Sequence, residues 1–169
     1  MNIISGIFKS IKIKTSKDLS YRPTKSLVRK SIFDSLNYFN FNSVCDLFSG
    51  SGIIGFESAS RGAKFVTFVD NNYRAIKLIQ ENAITMEGPH YSYFQKDVFS
   101  FLKNSNSYDL IYADPPYGMY DPNKLVEEVF KHLNKKGKLF LECDKKQNPF
   151  LDSTVRDYGQ TRILQWENN

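Results

Sequence analysis

The tetrapeptide Asp114-Pro115-Pro116-Tyr117 carries the residues best suited to chemistry in this 169-residue sequence. It follows an apolar run at 108–113, and two prolines, which lack a backbone N–H, must end a strand there. Because each proline fixes its own φ and extends the residue before it, the Asp114 carboxylate and the Pro115 carbonyl are held stiffly. Two such acceptors beside an aromatic ring suit a planar amine, although a simple turn would use the same residues.

The chemistry that this tetrapeptide favours is the modification of a nucleobase amino group. Such an amine is a poor nucleophile because its lone pair is delocalised into the ring. Acceptors on both N–H bonds favour the pyramidal form, whose lone pair is free to attack. We therefore expect Asp114 and the Pro115 carbonyl to hold the amine, and Tyr117 to cover the face of the base.

A glycine-rich loop precedes this motif in the chain. Gly50, Gly52 and Gly55 follow a short apolar run at 43–48 with the spacing G-x-G-x-x-G. This spacing lets backbone pass close to a ligand at the start of a helix. A second apolar run ends in Asp70, 18 residues after Gly52, where an acidic residue usually binds the hydroxyls of a ribose. The pattern predicts a cofactor that contains adenosine.

NAD and S-adenosylmethionine both contain adenosine, and further acidic residues favour the second. Asp46 lies in the first apolar run, where a carboxylate suits the ammonium of a methionine but would repel a pyrophosphate. Asp97 follows a third run at 91–95 and can accept a hydrogen bond from the adenine amine. We expect S-adenosylmethionine as cofactor. The neighbours that we expect to complete its site are Phe48, Asn71 and Val98.

Alternating strands and helices predict an α/β fold with a mostly parallel sheet. Besides the elements named above, the pattern predicts helices over 72–86 and 121–133 and a strand over 138–143 after a turn at Gly137. A closing antiparallel hairpin is predicted over 153–166. Residues 3–14 alternate in polarity around Gly6, as in an N-terminal β-hairpin. We expect one domain over 1–169, with a Rossmann-like catalytic core over 44–169.

Composition excludes several classes of protein. The hydrophobic content of 41% argues against disorder, and no run of 18 apolar residues is present to span a membrane. The first residues lack the features of a signal peptide. Cys45 and Cys143 lie in apolar runs typical of buried free thiols, and His90 and His132 have no partner at metal-binding spacing. We therefore expect a cytoplasmic protein with no disulfide and no metal.

The positive charge is concentrated in residues 1–43, which hold eight lysines and arginines against two aspartates, whereas the whole chain has a net charge of +5. Pro23 and Thr24 predict the start of a helix, with Thr24 as its N-cap. Val28, Ile32, Leu36 and Phe39 recur on one face of that helix. A solvated basic face is the ordinary interpretation. We instead expect phosphate binding, because the segment accompanies a base-amine site. The expected RNA ligands are Arg22, Thr24, Lys25 and Arg29.

The sequence resembles the RsmD family, which methylates the N2 amine of a guanine in bacterial small-subunit ribosomal RNA. The resemblance covers essentially the whole chain. It rests on a Gly motif at 3–6, on residues 21–24 and 28–29, on the loop at 46–52, on the proline motif and on Tyr158-Gly-Gln-Thr161. It implies a class I S-adenosylmethionine-dependent methyltransferase fold with a seven-stranded sheet, and ribosomal RNA or an assembling 30S subunit as partner. The glycine loop and the proline motif are shared with many amine methyltransferases, and so they indicate only the class.

Two other functions are compatible with parts of the pattern. A DNA adenine-N6 methyltransferase uses a similar proline motif but generally needs a separate target-recognition segment, for which this chain has little room. A NAD-linked oxidoreductase would explain the glycine loop and Asp70. It would leave the proline motif and the basic N-terminus unexplained.

Overall fold

The structure is a computed structural model that describes residues 1–16, 26–36 and 39–169. Seven strands and five helices are found in these residues, and they alternate along most of the chain. The strands are β1 (Ser43–Leu47), β2 (Phe65–Asp70), β3 (His90–Gln95), β4 (Tyr108–Ala113), β5 (Leu133–Asp144), β6 (Thr154–Tyr158) and β7 (Thr161–Glu167). The helices are α1 (Ser26–Asp34), α2 (Ile53–Ser60), α3 (Tyr73–Ala83), α4 (Val98–Leu102) and α5 (Pro122–Phe130).

The strands form one mixed sheet in the order β3-β2-β1-β4-β5-β7-β6. The first five are parallel neighbours, and β7 runs antiparallel to both β5 and β6. The chain reverses its direction of winding between β1 and β4. In such sheets ligands bind at the carboxyl ends of the strands beside this reversal. The predicted parallel sheet with a closing hairpin is confirmed.

Helices cover both faces of the sheet, as expected for parallel strands buried on two sides. One buried cluster joins α1, α2 and α3 to the sheet and includes Phe56, Phe68 and Phe140. A second cluster joins α4 and α5 to the opposite face and includes Leu125 and Val129. Helices α2 to α5 each return the chain from the end of one parallel strand to the start of the next, so that the parallel strands all end at the same carboxyl edge.

The predicted N-terminal hairpin is present as a short antiparallel pairing, in which the Ile3 N–H donates to the Ile11 carbonyl at 3.0 Å and the Ile13 N–H to the Met1 carbonyl at 2.6 Å. A single antiparallel bridge joins Asn2 to Lys12, and the chain between them turns through Gly6, whose φ is +88°. A Cβ on Gly6 would lie 1.8 Å from the carbonyl oxygen of Ser60, so only glycine allows this close contact. Backbone contacts with the end of α2 therefore take the place of a longer β-ladder.

Arg29 does not lie on a solvated basic face, and its prediction as a phosphate ligand is wrong for this conformation. The residue is only 3% exposed. Its guanidinium lies 3.7 Å from the buried carboxylate of Glu57 and donates a hydrogen bond to the Asn2 carbonyl. Arg61 pairs with the same carboxylate at 3.0 Å. Arg29 therefore joins α1, α2 and the N-terminal residues inside the protein.

Two predicted helix ends and one predicted turn are also corrected. Helix α3 ends at Ala83, and α5 ends at Phe130, because Leu133 already pairs with Tyr108 as the first residue of β5. Gly137 lies within β5, where the register with β4 shifts. The preceding Lys136 has φ of +62°. The turn predicted at Gly137 is thus an irregularity inside one strand rather than a boundary before it.

The described residues also bear on membrane spans, metal binding and disulfides. Among them, no helix has the length and apolar character needed to cross a membrane. No cluster of three or more potential metal ligands occurs in the same residues. Cys45 and Cys143 are buried free thiols, as predicted.

Candidate active site

The ends of β1, β2 and β4 meet around one cleft of about 280 Å³. The loops that follow these three strands supply most of its wall, as the reversal of winding between β1 and β4 requires. Its lining residues are Phe48, Gly50, Asp70, Asn71, Asn72, Ala75, Asp114, Pro116, Met119 and Tyr120. The glycine loop, the predicted ribose ligand and the proline motif, which are far apart in sequence, thus share one site.

The loop after β1 turns sharply between Phe48 and Gly52. Phe48, Gly50 and Gly52 all have positive φ, at 58°, 52° and 75°. The Gly50 N–H donates to the Asp70 carboxylate at 2.9 Å, which joins the loop to the end of β2. The sequence prediction of a tight glycine turn before a helix is therefore matched by the backbone.

The three glycines have different roles in this turn. Gly50 lines the cleft. A Cβ on Gly52 would lie 3.0 Å from Phe56, Phe68 and Ile79. A Cβ on Gly55 would lie 2.2 Å from the Phe68 ring. The second and third glycines thus let α2 pack closely on the sheet, and among the three only Gly50 is a lining residue of the cleft.

Asp70 is fixed at the cleft by two backbone donors. Its carboxylate accepts hydrogen bonds from the N–H of Gly50 at 2.9 Å and of Asn72 at 2.8 Å. Burial raises the pKa of Asp70, and these two N–H groups oppose the rise. The side chain is only partly buried, so its oxygens remain available for hydroxyl donors. This arrangement suits a ribose diol.

Asp46 lies beneath the cleft rather than in its wall. It is 2% exposed, and one carboxylate oxygen accepts a hydrogen bond from the Gly55 N–H at 3.0 Å. Burial raises the pKa of Asp46 to about 8, with a further rise from nearby Asp70, whereas the Gly55 N–H lowers it. A buried carboxyl of this kind is stabilised in its ionised form by a cation that binds close to it.

The proline motif continues directly from β4. The Asp114 N–H donates to the Leu47 carbonyl at 3.4 Å, which extends the pairing of β4 with β1. Pro115 is buried, and Asp114 and Pro116 line the cleft. Tyr117 is 46% exposed at the surface that follows. The motif thus ends its strand as predicted and places Asp114 in the wall of the cleft, whereas Tyr117 is not one of the lining residues.

Tyr120 is a lining residue that sequence reasoning missed. Its ring lies edge-on to Phe48 with centroids 4.9 Å apart and stacks near Phe99 at 6.0 Å. Its hydroxyl donates to the Asp97 carboxylate at 3.3 Å. The only signal in the sequence is an aromatic residue between the proline motif and the helix cap at Asp121. Tyr120 anchors the loop after β4 to the glycine loop and to α4.

The predicted adenine contacts lie on this same side. Asp97 caps α4 by accepting a hydrogen bond from the Ser100 N–H at 3.0 Å. Val98 is the first residue of α4, and its side chain is buried in the core. Neither Asp97 nor Val98 lines the cleft, and Asp97 is joined to it by the hydrogen bond from the lining residue Tyr120. Asn71 lines the cleft beside Asp70, and its binding of the cofactor stays a prediction.

The predicted RNA ligands are only partly described. Arg22, Thr24 and Lys25 lie outside the described residues, and Arg29 is buried. A larger cavity of about 950 Å³ lies between α5 and the C-terminal hairpin, with Phe130 and Trp166 in its wall. It shares no lining residue with the cleft and holds none of the predicted site residues. The cleft is therefore the candidate active site.

Comparisons with known proteins identify relatives over nearly the whole chain. The family model described as conserved hypothetical protein 95 matches residues 1–166. A candidate rRNA methyltransferase of Bacillus subtilis (strain 168) is 32% identical, and the match covers 96% of this chain and 91% of that protein. The ribosomal RNA small subunit methyltransferase D of Buchnera aphidicola subsp. Acyrthosiphon pisum is 30% identical, with coverages of 86% and 79%.

A solved structure has the same fold. A hypothetical protein of Thermus thermophilus superposes with a TM-score of 0.87 at 25% identity, and the match covers 98% of each chain. The sheet order and the helices on both faces are those of a Rossmann-like class I methyltransferase. Taken with the family match over residues 1–166, these relatives show that the chain belongs to the RsmD family.

Proposed function

We propose that this protein transfers a methyl group from S-adenosylmethionine to the exocyclic N2 amine of a guanine in small-subunit ribosomal RNA. One observation carries the proposal: the glycine loop with Asp70 and the Asp114 motif line the same cleft. A cofactor held by the first pair of features would therefore lie beside an amine held by the second. Membership of a family of ribosomal RNA methyltransferases supports the same reaction.

The residues of the cleft fit S-adenosylmethionine. Asp70 presents a carboxylate for the ribose, and the aromatic rings of Phe48 and Tyr120 offer an apolar wall near Asp97 for the adenine. The buried carboxyl of Asp46 suits the ammonium of the methionine. When bound, the cofactor supplies an electrophilic methyl group.

The reaction that we infer is a direct attack by the amine nitrogen on that methyl group. The N–C bond would form as the C–S bond breaks, and S-adenosylhomocysteine would leave with the electron pair. The Asp114 carboxylate and the Pro115 carbonyl each accept a hydrogen bond from one N–H group of the amine, so that the lone pair of its nitrogen is free. Tyr117 covers the base, which is presented out of its stack. Positive charge grows on the nitrogen as the new bond forms, and the Asp114 carboxylate stabilises it. The amine proton then leaves to Asp114 or to water, and holding the two reactants together supplies most of the acceleration.

A ribosomal RNA, free or in an assembling 30S subunit, is the proposed partner. The chain has a net charge of +5, and Lys9, Lys12 and Lys14 are exposed in the described N-terminal segment. Exposed cations of this kind bind phosphates by releasing counterions, without reading sequence. We also propose a cytoplasmic location, because the proposed ribosomal substrate is assembled in the cytoplasm.

Methyl transfer from labelled S-adenosylmethionine tests the proposal directly. Purified protein is incubated in parallel with small-subunit RNA, assembled small subunits, large-subunit RNA and DNA. The product is digested to nucleosides and separated. We expect label in N2-methylguanosine from the small-subunit substrates alone. Label in N6-methyladenine from DNA would instead identify a DNA methyltransferase. A protein that binds NADH but does not bind S-adenosylmethionine would be an oxidoreductase.

A further inference from the structure

We propose that Met119 is a wedge that occupies the place of the target base when that base leaves its stack. This inference rests on the proposed function, because it concerns how the base enters the site. Met119 lines the cleft next to Asp114 and Pro116, and yet it is 73% exposed. An apolar side chain that is both part of the cleft wall and open to solvent is placed to contact the substrate.

The loop that carries Met119 is anchored on both sides of it. Before it, Pro115 is buried and the Asp114 N–H pairs with Leu47. After it, the Tyr120 ring packs against Phe48 and its hydroxyl bonds Asp97. Both ends of the loop are therefore held by contacts with the rest of the protein, whereas Met119 at its tip is exposed.

The tip itself is a tight turn that presents the side chain outward. The Met119 N–H donates to the Pro116 carbonyl at 3.2 Å. Gly118 has φ of +76°, and a Cβ added there would meet no atom within 4 Å among the described residues. The turn is therefore open on its outer side, which leaves room for nucleic acid to approach the backbone.

Methionine has the chemistry that a wedge needs. Proteins that unstack bases insert apolar side chains, methionine among them, between base steps. The long and flexible thioether adapts to an irregular gap. Tyr117, two residues earlier, covers the extracted base in the proposed reaction. One loop would then serve both the extracted base and the gap that it leaves.

The test compares substrates that differ in stacking. The intact substrate is the shortest RNA fragment that the wild-type protein methylates, and the gapped substrate replaces the nucleotide beside its target by an abasic residue. Met119→Ala should lower kcat/KM on the intact RNA about 10- to 100-fold, since an enzyme that takes a base from its stack must supply the unstacking energy. On the gapped RNA the variant should be within about threefold of the wild type, because less stacking remains to be broken.

Two further variants control for other effects. Met119→Leu keeps an apolar side chain of similar size and should retain most activity on both substrates. Ile84 is an equally exposed apolar residue at the end of α3, at 73%, so Ile84→Ala should leave both rates unchanged. The melting temperature should be the same for all variants, because both side chains lie largely in solvent. A change in the affinity for S-adenosylmethionine at the cleft wall would lower both rates equally, so the comparison of the two RNAs separates it from the wedge.

The possible outcomes separate the wedge from the reaction itself. Equal loss on both substrates, or no loss on either, would overturn the wedge while leaving methyl transfer intact. A wild-type protein that labels no RNA would remove the proposed function, and the wedge with it. A selective loss on the intact RNA, restored by leucine, supports the inference.

Discussion

The buried carboxyl of Asp46 predicts that the stability of the unliganded protein falls as pH rises from about 4 to 8. Burial raises its pKa in the folded protein to about 8, against an ordinary value of 3.8. Below pH 3.8 Asp46 is protonated in both the folded and the unfolded chain, so it does not reduce the free energy of unfolding. Above it the unfolded chain loses its proton while the folded chain keeps it. Each pH unit in this window therefore costs about 1.4 kcal/mol.

Asp46→Asn removes this cost and keeps the shape of the side chain. The amide oxygen can still accept the hydrogen bond from the Gly55 N–H, which is 3.0 Å from the carboxylate in the wild type. The variant should be more stable than the wild type at pH 7 by about 2–4 kcal/mol, and the difference should grow with pH until about 8. Urea unfolding of both proteins across this range measures it. A difference that stays constant with pH would refute the raised pKa.

Cofactor binding tests the proposed role of the same carboxyl. An ammonium beside Asp46 would favour the ionised form, so binding at pH 7 should release about one proton. Calorimetry in two buffers with different heats of ionisation measures that release. Adenosine, which has no ammonium, and the Asp46→Asn variant are the controls, and neither should release a proton. Absence of proton release with S-adenosylmethionine would show that its ammonium binds elsewhere.

The described contacts also predict the effects of three further substitutions. Asp70→Ala should weaken S-adenosylmethionine binding about 10- to 100-fold, since hydrogen bonds to a charged group contribute about 1.5–3 kcal/mol, and calorimetry measures the change. Asp114→Ala should lower turnover about 100- to 1,000-fold with cofactor affinity within a few-fold; nearly full activity would show that the motif has been misread. Arg29→Ala should lower the free energy of unfolding by about 3 kcal/mol and leave the salt dependence of RNA binding unchanged. If the variant had normal stability and a flatter salt dependence of RNA binding, Arg29 would be a phosphate ligand after all.

Local signals explain why the core of the fold could be predicted. Prolines at 115 and 116 cannot continue a ladder, so the end of β4 is fixed by covalent structure. The glycines at 50 and 52 have positive φ values that few other residues adopt. In both places the residue type dictates the backbone, and no distant contact is needed. The placement of Asp70 beside the loop then follows from the parallel pairing of β1 with β2.

The errors arise where distant residues decide the outcome. Arginine is rarely buried without a partner, so sequence reasoning places Arg29 at the surface. Its partner Glu57 lies in another helix, and no periodicity in α1 reveals that contact. Tyr120 is missed for a similar reason, since its neighbours Phe48 and Phe99 come from two other segments. Packing between elements, rather than the pattern within one, determines both positions.

The position of the N-terminal lysines bears on the size of the proposed substrate. Helix α2 begins beside the cleft and runs to the amino edge of the sheet, where Ile7 and Phe8 bind Ser60. Lys14 is held in the same way by Asn82 near the end of α3. An eight-residue helix is about 12 Å long, so exposed cations in this segment lie at roughly that distance or more from a base in the cleft. A single nucleotide could not reach both the cleft and these lysines, whereas a folded RNA is large enough to contact both. We therefore expect the lysines to bind other parts of a large RNA and not the nucleotide that is methylated.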